Sequence, residues 1–166
     1  MKTAFYAGSF DPFTNGHLDI VKKASELFDK VVIVIAINTK KSRAYNDDKM
    51  CAAIETTLKE HGITNCTVGK YNGLIADLMS GWNVKYLIRG LRDVVDYNYE
   101  ENIAKTNKLI YPEIETVYFR ADNNISSTMV KELYNFGKDV SDYVPTAVFD
   151  LMEEHEWIKL IELKNL

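Results

Sequence analysis

The stretch Val31-Val32-Ile33-Val34-Ile35-Ala36-Ile37 is apolar at every position and dominated by β-branched side chains. A strand covered on one face alternates apolar with polar residues. A run without that alternation predicts a strand buried on both faces, as in the middle of a parallel sheet. On its N-terminal side the period changes. Gly16 to Phe28 predicts a helix, with Leu18, Val21, Ala24, Leu27 and Phe28 on one broad face and Lys22, Lys23 and Glu26 outside it. Thr14 or Asn15 can cap its start. Before it, Thr3 to Ala7 reads as a strand ended by Gly8.

The alternation continues toward the C-terminus. Strands are expected at Thr67–Tyr71, Lys85–Ile88 and Glu115–Phe119. Helices are expected at about Asp47–Glu60, Leu74–Trp82, Tyr97–Leu109, Ser127–Phe136 and Thr146–Lys159. Strands alternating with helices in this way specify an α/β domain, Rossmann-like and doubly wound: a five-stranded, mainly parallel sheet with helices on both faces. Ligands bind such sheets beyond the carboxyl ends of the strands. The residues to inspect therefore follow Ala7, Ile37, Tyr71, Ile88 and Phe119.

With 166 residues, 46% hydrophobic and 27% charged, the chain has the size and composition of a single domain that can bury a full core. The helix at about 146–159 is expected to dock on that domain or on a neighbouring subunit. The apolar run at 31–37 falls far short of the roughly 20 residues needed to span a bilayer. Met1-Lys2-Thr3-Ala4-Phe5 does not read as a secretory signal, so a cytoplasmic setting is expected. A net charge of −4 argues against coating nucleic acid or a membrane surface. The cations are nevertheless clustered, as Lys40, Lys41 and Arg43 in one segment and Arg89 and Arg92 in another. That distribution suits a small anionic ligand. Cys51 and Cys66 have neither zinc-site nor disulfide-framework spacing and read as two buried, reduced thiols.

The first strand-to-helix turn reads Gly8-Ser9-Phe10-Asp11-Pro12-Phe13-Thr14-Asn15-Gly16-His17. Gly8 permits close approach of a ligand to the backbone, and Ser9 offers a hydroxyl and an N–H at the strand end. Gly16 and His17 open a helix whose free N–H groups attract phosphate. His17 can donate a hydrogen bond to a phosphoryl oxygen there. Ordinary turn punctuation at Asp11-Pro12 and Asn15-Gly16, with a surface histidine, is the competing reading. The turn is neither G-x-G-x-x-G nor G-x-x-x-x-G-K-[ST], which disfavours a dinucleotide cofactor and P-loop hydrolysis. Farther on, Ser126, Ser127 and Thr128 place three hydroxyls at a predicted helix N-terminus, an anion cradle or a plain serine cap. Arg89 and Arg92, just after a predicted strand, offer guanidinium forks for phosphate, or ion-pair partners for Asp93 and Asp96.

Thr14-Asn15-Gly16-His17 resembles the T/H-x-G-H signature of the nucleotidylyltransferase superfamily. Ile88-Arg89-Gly90-Leu91-Arg92 with Asp96-Tyr97-Asn98-Tyr99-Glu100 resembles the phosphopantetheine adenylyltransferase family within it, and so does Gly8-Ser9-Phe10-Asp11-Pro12 to Val21. Ile125-Ser126-Ser127-Thr128 is similar to the superfamily's late I-S-S-[ST] motif. The likeness runs from Ala7 to about Val144.

It implies transfer of an adenylyl group from ATP, with Mg²⁺ carried mainly by the phosphates and no dedicated metal site, to 4′-phosphopantetheine. The products would be dephospho-coenzyme A and pyrophosphate. By the same resemblance His17 stabilises the transition state, while Ser9 and Phe10 touch ATP and Ser9 also touches the acceptor. Lys41, or its neighbour Lys40, holds the acceptor phosphate. Arg89 binds pantetheine, and Gly90, Leu91, Arg92 and Glu100 contact ATP. Asp122, Asn123, Asn124, Ile125, Ser126, Ser127 and Thr128 bind its phosphates and adenine. Leu74 or Ile75, with Asn107, lines the pantetheine arm. A homo-hexamer is implied too, with no nucleic-acid partner.

The chain departs from the family pattern in several places, beginning with Ser9 where Thr is usual. No Pro follows Lys40-Lys41, Asp48-Lys49 stands where Glu-Arg is usual, and the 121–124 loop is short and lacks an aromatic. A sister enzyme using nicotinamide mononucleotide or a small phosphoalcohol is the nearest alternative, and a non-catalytic nucleotide-binding module the next. His61 reads as a helix-end residue. His155, in Glu153-Glu154-His155-Glu156, reads as part of a solvated helix surface rather than a metal site.

Overall fold

In the computed structural model, which describes residues 1–165, the expected alternation builds one sheet. Its strands are β1 (Thr3–Gly8), β2 (Lys30–Ile37), β3 (Cys66–Asn72), β4 (Tyr86–Leu91) and β5 (Glu115–Arg120). They stand in the order β3-β2-β1-β4-β5, and every pairing is parallel. The helices are α1 (Asn15–Leu27), α2 (Asp47–Glu60), α3 (Ile75–Gly81), α4 (Val94–Ile110), α5 (Ser127–Asn135) and α6 (Thr146–Lys164).

Strand β2 is buried on both faces, as its composition requires. Val31, Ile33 and Ile35 enter a large core shared with α1, α2, α5 and α6. Val34 enters a smaller core on the opposite face with Phe5, Leu87 and the α3 residues Ala76 and Met79. The chain winds outward from β1 to β3, then returns to place β4 on the other side of β1. The topological switch point therefore lies between the carboxyl ends of β1 and β4, where such sheets hold their ligands.

Helix α4 is unusual. Of its residues Val94–Ile110, only Glu100 is buried, while Val94, Val95, Tyr99 and Leu109 are exposed. Apolar packing thus contributes little to its placement.

Several boundaries differ from the sequence reading. The sheet is wholly rather than mainly parallel. Strand β4 continues through Leu91, so Arg89 and Gly90 lie within the strand and only Arg92 follows it. Pairing of Arg89, Gly90 and Leu91 with Tyr118, Phe119 and Arg120 extends it. Helix α4 starts at Val94 because the Asp93 carboxylate caps it, accepting from the Asp96 N–H. Helix α6 runs on to Lys164, as no proline or glycine interrupts it. Leu27, expected on the buried face of α1, is 65% exposed. It lies in the last turn, where the chain leaves the helix at Phe28, and Phe28 takes the buried position beside Tyr86. Both cysteines are free as expected, but half-buried rather than buried.

Candidate active site

The site begins at the end of β1. Ser9 is exposed, and Phe10 turns its ring inward to pack edge-on against Tyr6 and His17. This demands a left-handed backbone at Phe10, with φ of 44°, a conformation costly for a residue with a large side chain. Gly8 makes it possible, since a Cβ there would lie 3.1 Å from the Phe10 ring.

Helix α1 follows, capped by Thr14. The Thr14 hydroxyl accepts from the His17 N–H at 3.4 Å, and the Thr14 N–H donates to His17 Nδ1 at 3.0 Å. This is a capping box in which histidine does what Glu or Gln usually does. It also settles the tautomer: with Nδ1 accepting, the ring proton of neutral His17 sits on Nε2. Burial among Phe10, Phe13 and Tyr6, followed by the positive fields of Arg92 and Arg89, lowers the His17 pKa from 6.5 to about 3. His17 is therefore a neutral donor at physiological pH. Gly16 beside it admits no side chain easily, because a Cβ would meet Asn123 Oδ1 at 3.0 Å and the Ile125 carbonyl at 3.2 Å.

From β4, Arg89 reaches under the turn. Its Nη1 donates to the Ala7 carbonyl at 2.6 Å, while Nε and Nη2 donate to the two Glu100 carboxylate oxygens at 2.6 and 2.7 Å. Arg92 is held by Asp96, with Nε at 2.8 Å from the carboxylate. Pairing with Asp96 is thus the state of Arg92 here, and Arg89 pairs with Glu100 rather than with Asp93 or Asp96. The third wall is the start of α5. Ser126 caps it, accepting from the Met129 N–H at 3.1 Å, and the Ser127 hydroxyl donates to the Pro12 carbonyl at 2.7 Å.

These elements enclose a cleft of about 280 Å³. Of the sequence-predicted residues it gathers Ser9, Phe10, His17, Arg89, Gly90, Arg92, Glu100, Ile125, Ser126, Ser127 and Thr128 along its walls. Tyr6, Ile20, Asp96 and Ala121 line it as well. Tyr6 and Ile20 carried no sequence signal apart from their apolar period. The remaining expected residues lie elsewhere. Lys41 and Lys40 are exposed on the loop after β2. Leu91 borders a separate surface hollow with Tyr97 and Tyr118. Asp122 pairs with Lys23 at 2.8 Å, Asn123 accepts from the Ile125 N–H, and Asn124 is exposed. Leu74 is exposed before α3, Ile75 packs on the smaller core, and Asn107 is half-buried on α4, its carbonyl accepting from Tyr111. His155, read as solvated, is half-buried and stacks edge-on against Tyr45. Among the described residues no three His, Cys, Asp or Glu side chains are grouped to hold a metal ion.

A helix N-terminus, a neutral histidine, an exposed arginine and a hydroxyl-rich second helix start, all at a switch point, have the chemistry that suits an anionic, phosphate-bearing ligand. That is the class this fold and site define. The cytidylyltransferase-like family model matches residues 5–133. A phosphopantetheine adenylyltransferase of Heliobacterium modesticaldum is 40% identical over 93% of this chain and 92% of its own length. One of Leptospira biflexa is 42% identical over 87% and 91%, respectively. A crystal structure titled as a putative nicotinate-nucleotide adenylyltransferase from Vibrio parahaemolyticus superposes with a TM-score of 0.67 at 19% identity, covering 93% of both chains, and shares the fold. The chain belongs to the phosphopantetheine adenylyltransferase family of nucleotidyltransferases.

Proposed function

We propose that this chain transfers the adenylyl group of ATP, presented as Mg-ATP, to the phosphate of 4′-phosphopantetheine, releasing pyrophosphate and dephospho-coenzyme A. An acceptor phosphate oxygen attacks the α-phosphorus, and the bond from that phosphorus to the oxygen bridging to the β-phosphate breaks. The electron pair leaves with pyrophosphate. The attacking phosphate is already anionic near neutral pH, so no general base is required. What the protein must supply is alignment and stabilisation of charge on the α-phosphoryl oxygens.

The observation that carries this reading is the state of His17. Its Nδ1 is taken by the Thr14 N–H and its charge is suppressed by burial and two arginines. Nε2–H is left as a fixed donor at the mouth of a helix N-terminus. Such a donor stabilises an oxyanion without itself titrating near neutrality. The start of α5 and Arg92 would hold the nucleotide phosphates, Lys41 the acceptor phosphate, and Leu74, Ile75 and Asn107 the pantetheine arm. The exposed apolar residues Trp82, Val94, Val95 and Leu109 support assembly into a homo-oligomer, for which light scattering at micromolar concentration is the check.

The test is pyrophosphate release from Mg-ATP with 4′-phosphopantetheine, with nicotinamide mononucleotide, and without acceptor. Release dependent on phosphopantetheine, with dephospho-coenzyme A as product, is expected. Release only with another acceptor would move the chain to a sister activity.

A further inference from the structure

The loop 38–46 carries Lys40 and Lys41 between β2 and α2, and its tip is exposed at Lys40, Lys41 and Ser42. Two side chains cross between this loop and the turn after β1. From the turn, the Asp11 carboxylate accepts from the Ala44 N–H at 2.8 Å and the Tyr45 N–H at 3.0 Å. From the loop, Arg43 Nη1 donates to the Ser9 carbonyl at 2.6 Å and Nη2 to the Phe10 carbonyl at 3.4 Å. Arg43 Nη2 also stands 3.7 Å from Asp11, both side chains being largely buried, and Lys131 approaches the same carboxylate at 3.8 Å. Arg43 Nε returns to the Tyr45 carbonyl at 3.3 Å, which closes the loop on itself.

The two sides of this junction are unequal. The turn has independent anchors: Arg89 on the Ala7 carbonyl, Ser127 on the Pro12 carbonyl, and the Phe10 ring in the core. The loop has one core anchor of its own, the buried Tyr45 ring packed on His155, but among the described residues its lysine-bearing tip is tied only by Asn38, which accepts from the Lys40 N–H through its side chain and from the Lys41 N–H through its carbonyl. Removing the junction would free the tip ahead of Tyr45 rather than the turn. Arg43 lies two residues from Lys41, and its guanidinium grips the backbone carbonyls of Ser9 and Phe10 at the cleft.

We infer that Arg43 is a positioning residue for the acceptor. By clamping the carbonyls of Ser9 and Phe10 it fixes the distance between the lysine loop and the nucleotide cleft. This inference rests on the function proposed above, in which Lys41 meets the acceptor phosphate. A planar fork is suited to the task, since one group donates to three carbonyls at once while its charge lies beside the Asp11 carboxylate.

The experiment compares the full-length wild type with Arg43→Met and Arg43→Lys, by steady-state kinetics in both substrates and by amide hydrogen exchange over residues 38–46. In Arg43→Met, KM for 4′-phosphopantetheine is expected to rise about tenfold, as for one lost charge-assisted hydrogen bond. KM for ATP should move by less than about twofold, and exchange over 38–46 should quicken. Arg43→Lys, which keeps the charge without the fork, should recover part of the acceptor affinity, and it serves alone if the methionine variant does not fold. Equal rises in both KM values, or unchanged acceptor KM, would overturn the inference. A wild type without phosphopantetheine-dependent release would instead overturn the proposed function. The exchange comparison then decides the clamp by itself, and unchanged protection over 38–46 would sink it.

Discussion

Arg89 and Glu100 form a two-pronged ion pair, with Nε and Nη2 at 2.6 and 2.7 Å from the two carboxylate oxygens, and Glu100 is the only buried residue of α4. Arg89 simultaneously holds the Ala7 carbonyl at the end of β1. The pair therefore joins helix α4, strand β4 and the turn after β1 through one guanidinium. Glu100→Ala leaves a largely buried cation without its partner, and a loss of about 3 kcal/mol in stability is expected. Urea unfolding measures it, and a loss below about 1 kcal/mol would show that α4 is held by other means.

His17 is expected to separate its two tasks by substitution. His17→Ala removes both the capping partner of Thr14 and the Nε2 donor. Turnover should fall by at least about 100-fold, with about 1 kcal/mol lost from stability. His17→Gln restores an acceptor for the Thr14 N–H, as glutamine does in ordinary capping boxes. It should unfold near the wild-type midpoint while remaining impaired in turnover. Equal stability of the two variants would contradict a capping function for the imidazole.

The depressed pKa of His17 also has a signed consequence. Its value falls from 6.5 to about 3 on folding, so between these limits the unfolded chain binds a proton that the native chain does not. This contribution to stability is complete above pH 6.5 and is lost as pH drops toward 3. At pH 5 the wild type should have lost up to about 2 kcal/mol from this group relative to pH 7. His17→Gln should show a correspondingly smaller difference between the two pH values in urea titrations. An identical difference in both proteins would place the acid sensitivity elsewhere.

Arg92 differs from Arg89 in being exposed, and its bond to Asp96 is made at the surface. Such a pair contributes less than about 1 kcal/mol. Asp96→Ala should therefore leave the unfolding midpoint nearly unchanged while releasing Arg92 for phosphate. Calorimetric titration with Mg-ATP should show affinity a few-fold tighter. Weaker binding would mean that Asp96 orients Arg92 toward the nucleotide instead of competing with it.

How far the sequence could be read depended on range. Thr14 with His17, and Ser126 with Met129, act on groups three residues away, so their spacing carries their geometry, whereas the reach of Ser127 to Pro12 and the packing of Gly16 against Asn123 and Ile125 join distant parts of the chain. The unbroken apolar run at 31–37 stated that β2 is covered on both faces, and two separate cores cover it. Arg43 was visible only as one charge in a basic cluster. Its partners Ser9 and Phe10 lie 34 and 33 residues away, and no local pattern marks them. Glu100 is singled out by resemblance alone, as an ATP contact, and no local pattern marks its pairing with Arg89. Leu27 has the right period for burial, yet the chain's exit at Phe28 determines which side chain fills the space. Where Lys41 stands relative to the cleft is set by a loop conformation, which has no periodicity to read.

The central strand is also the first one in the chain. Strand β1 pairs with β2 after a single helix, but its other edge waits for β4, and the Arg89–Ala7 bond spans 82 residues. During synthesis from the N-terminus, the turn after β1 and its capping box thus precede the arginine that braces them by about half the chain. Contacts of such long range are slow to form. A nascent chain ending before β4 would present an uncovered strand edge where the finished molecule has its cleft. The turn after β1 accordingly gains its final bracing only when the second half of the molecule arrives.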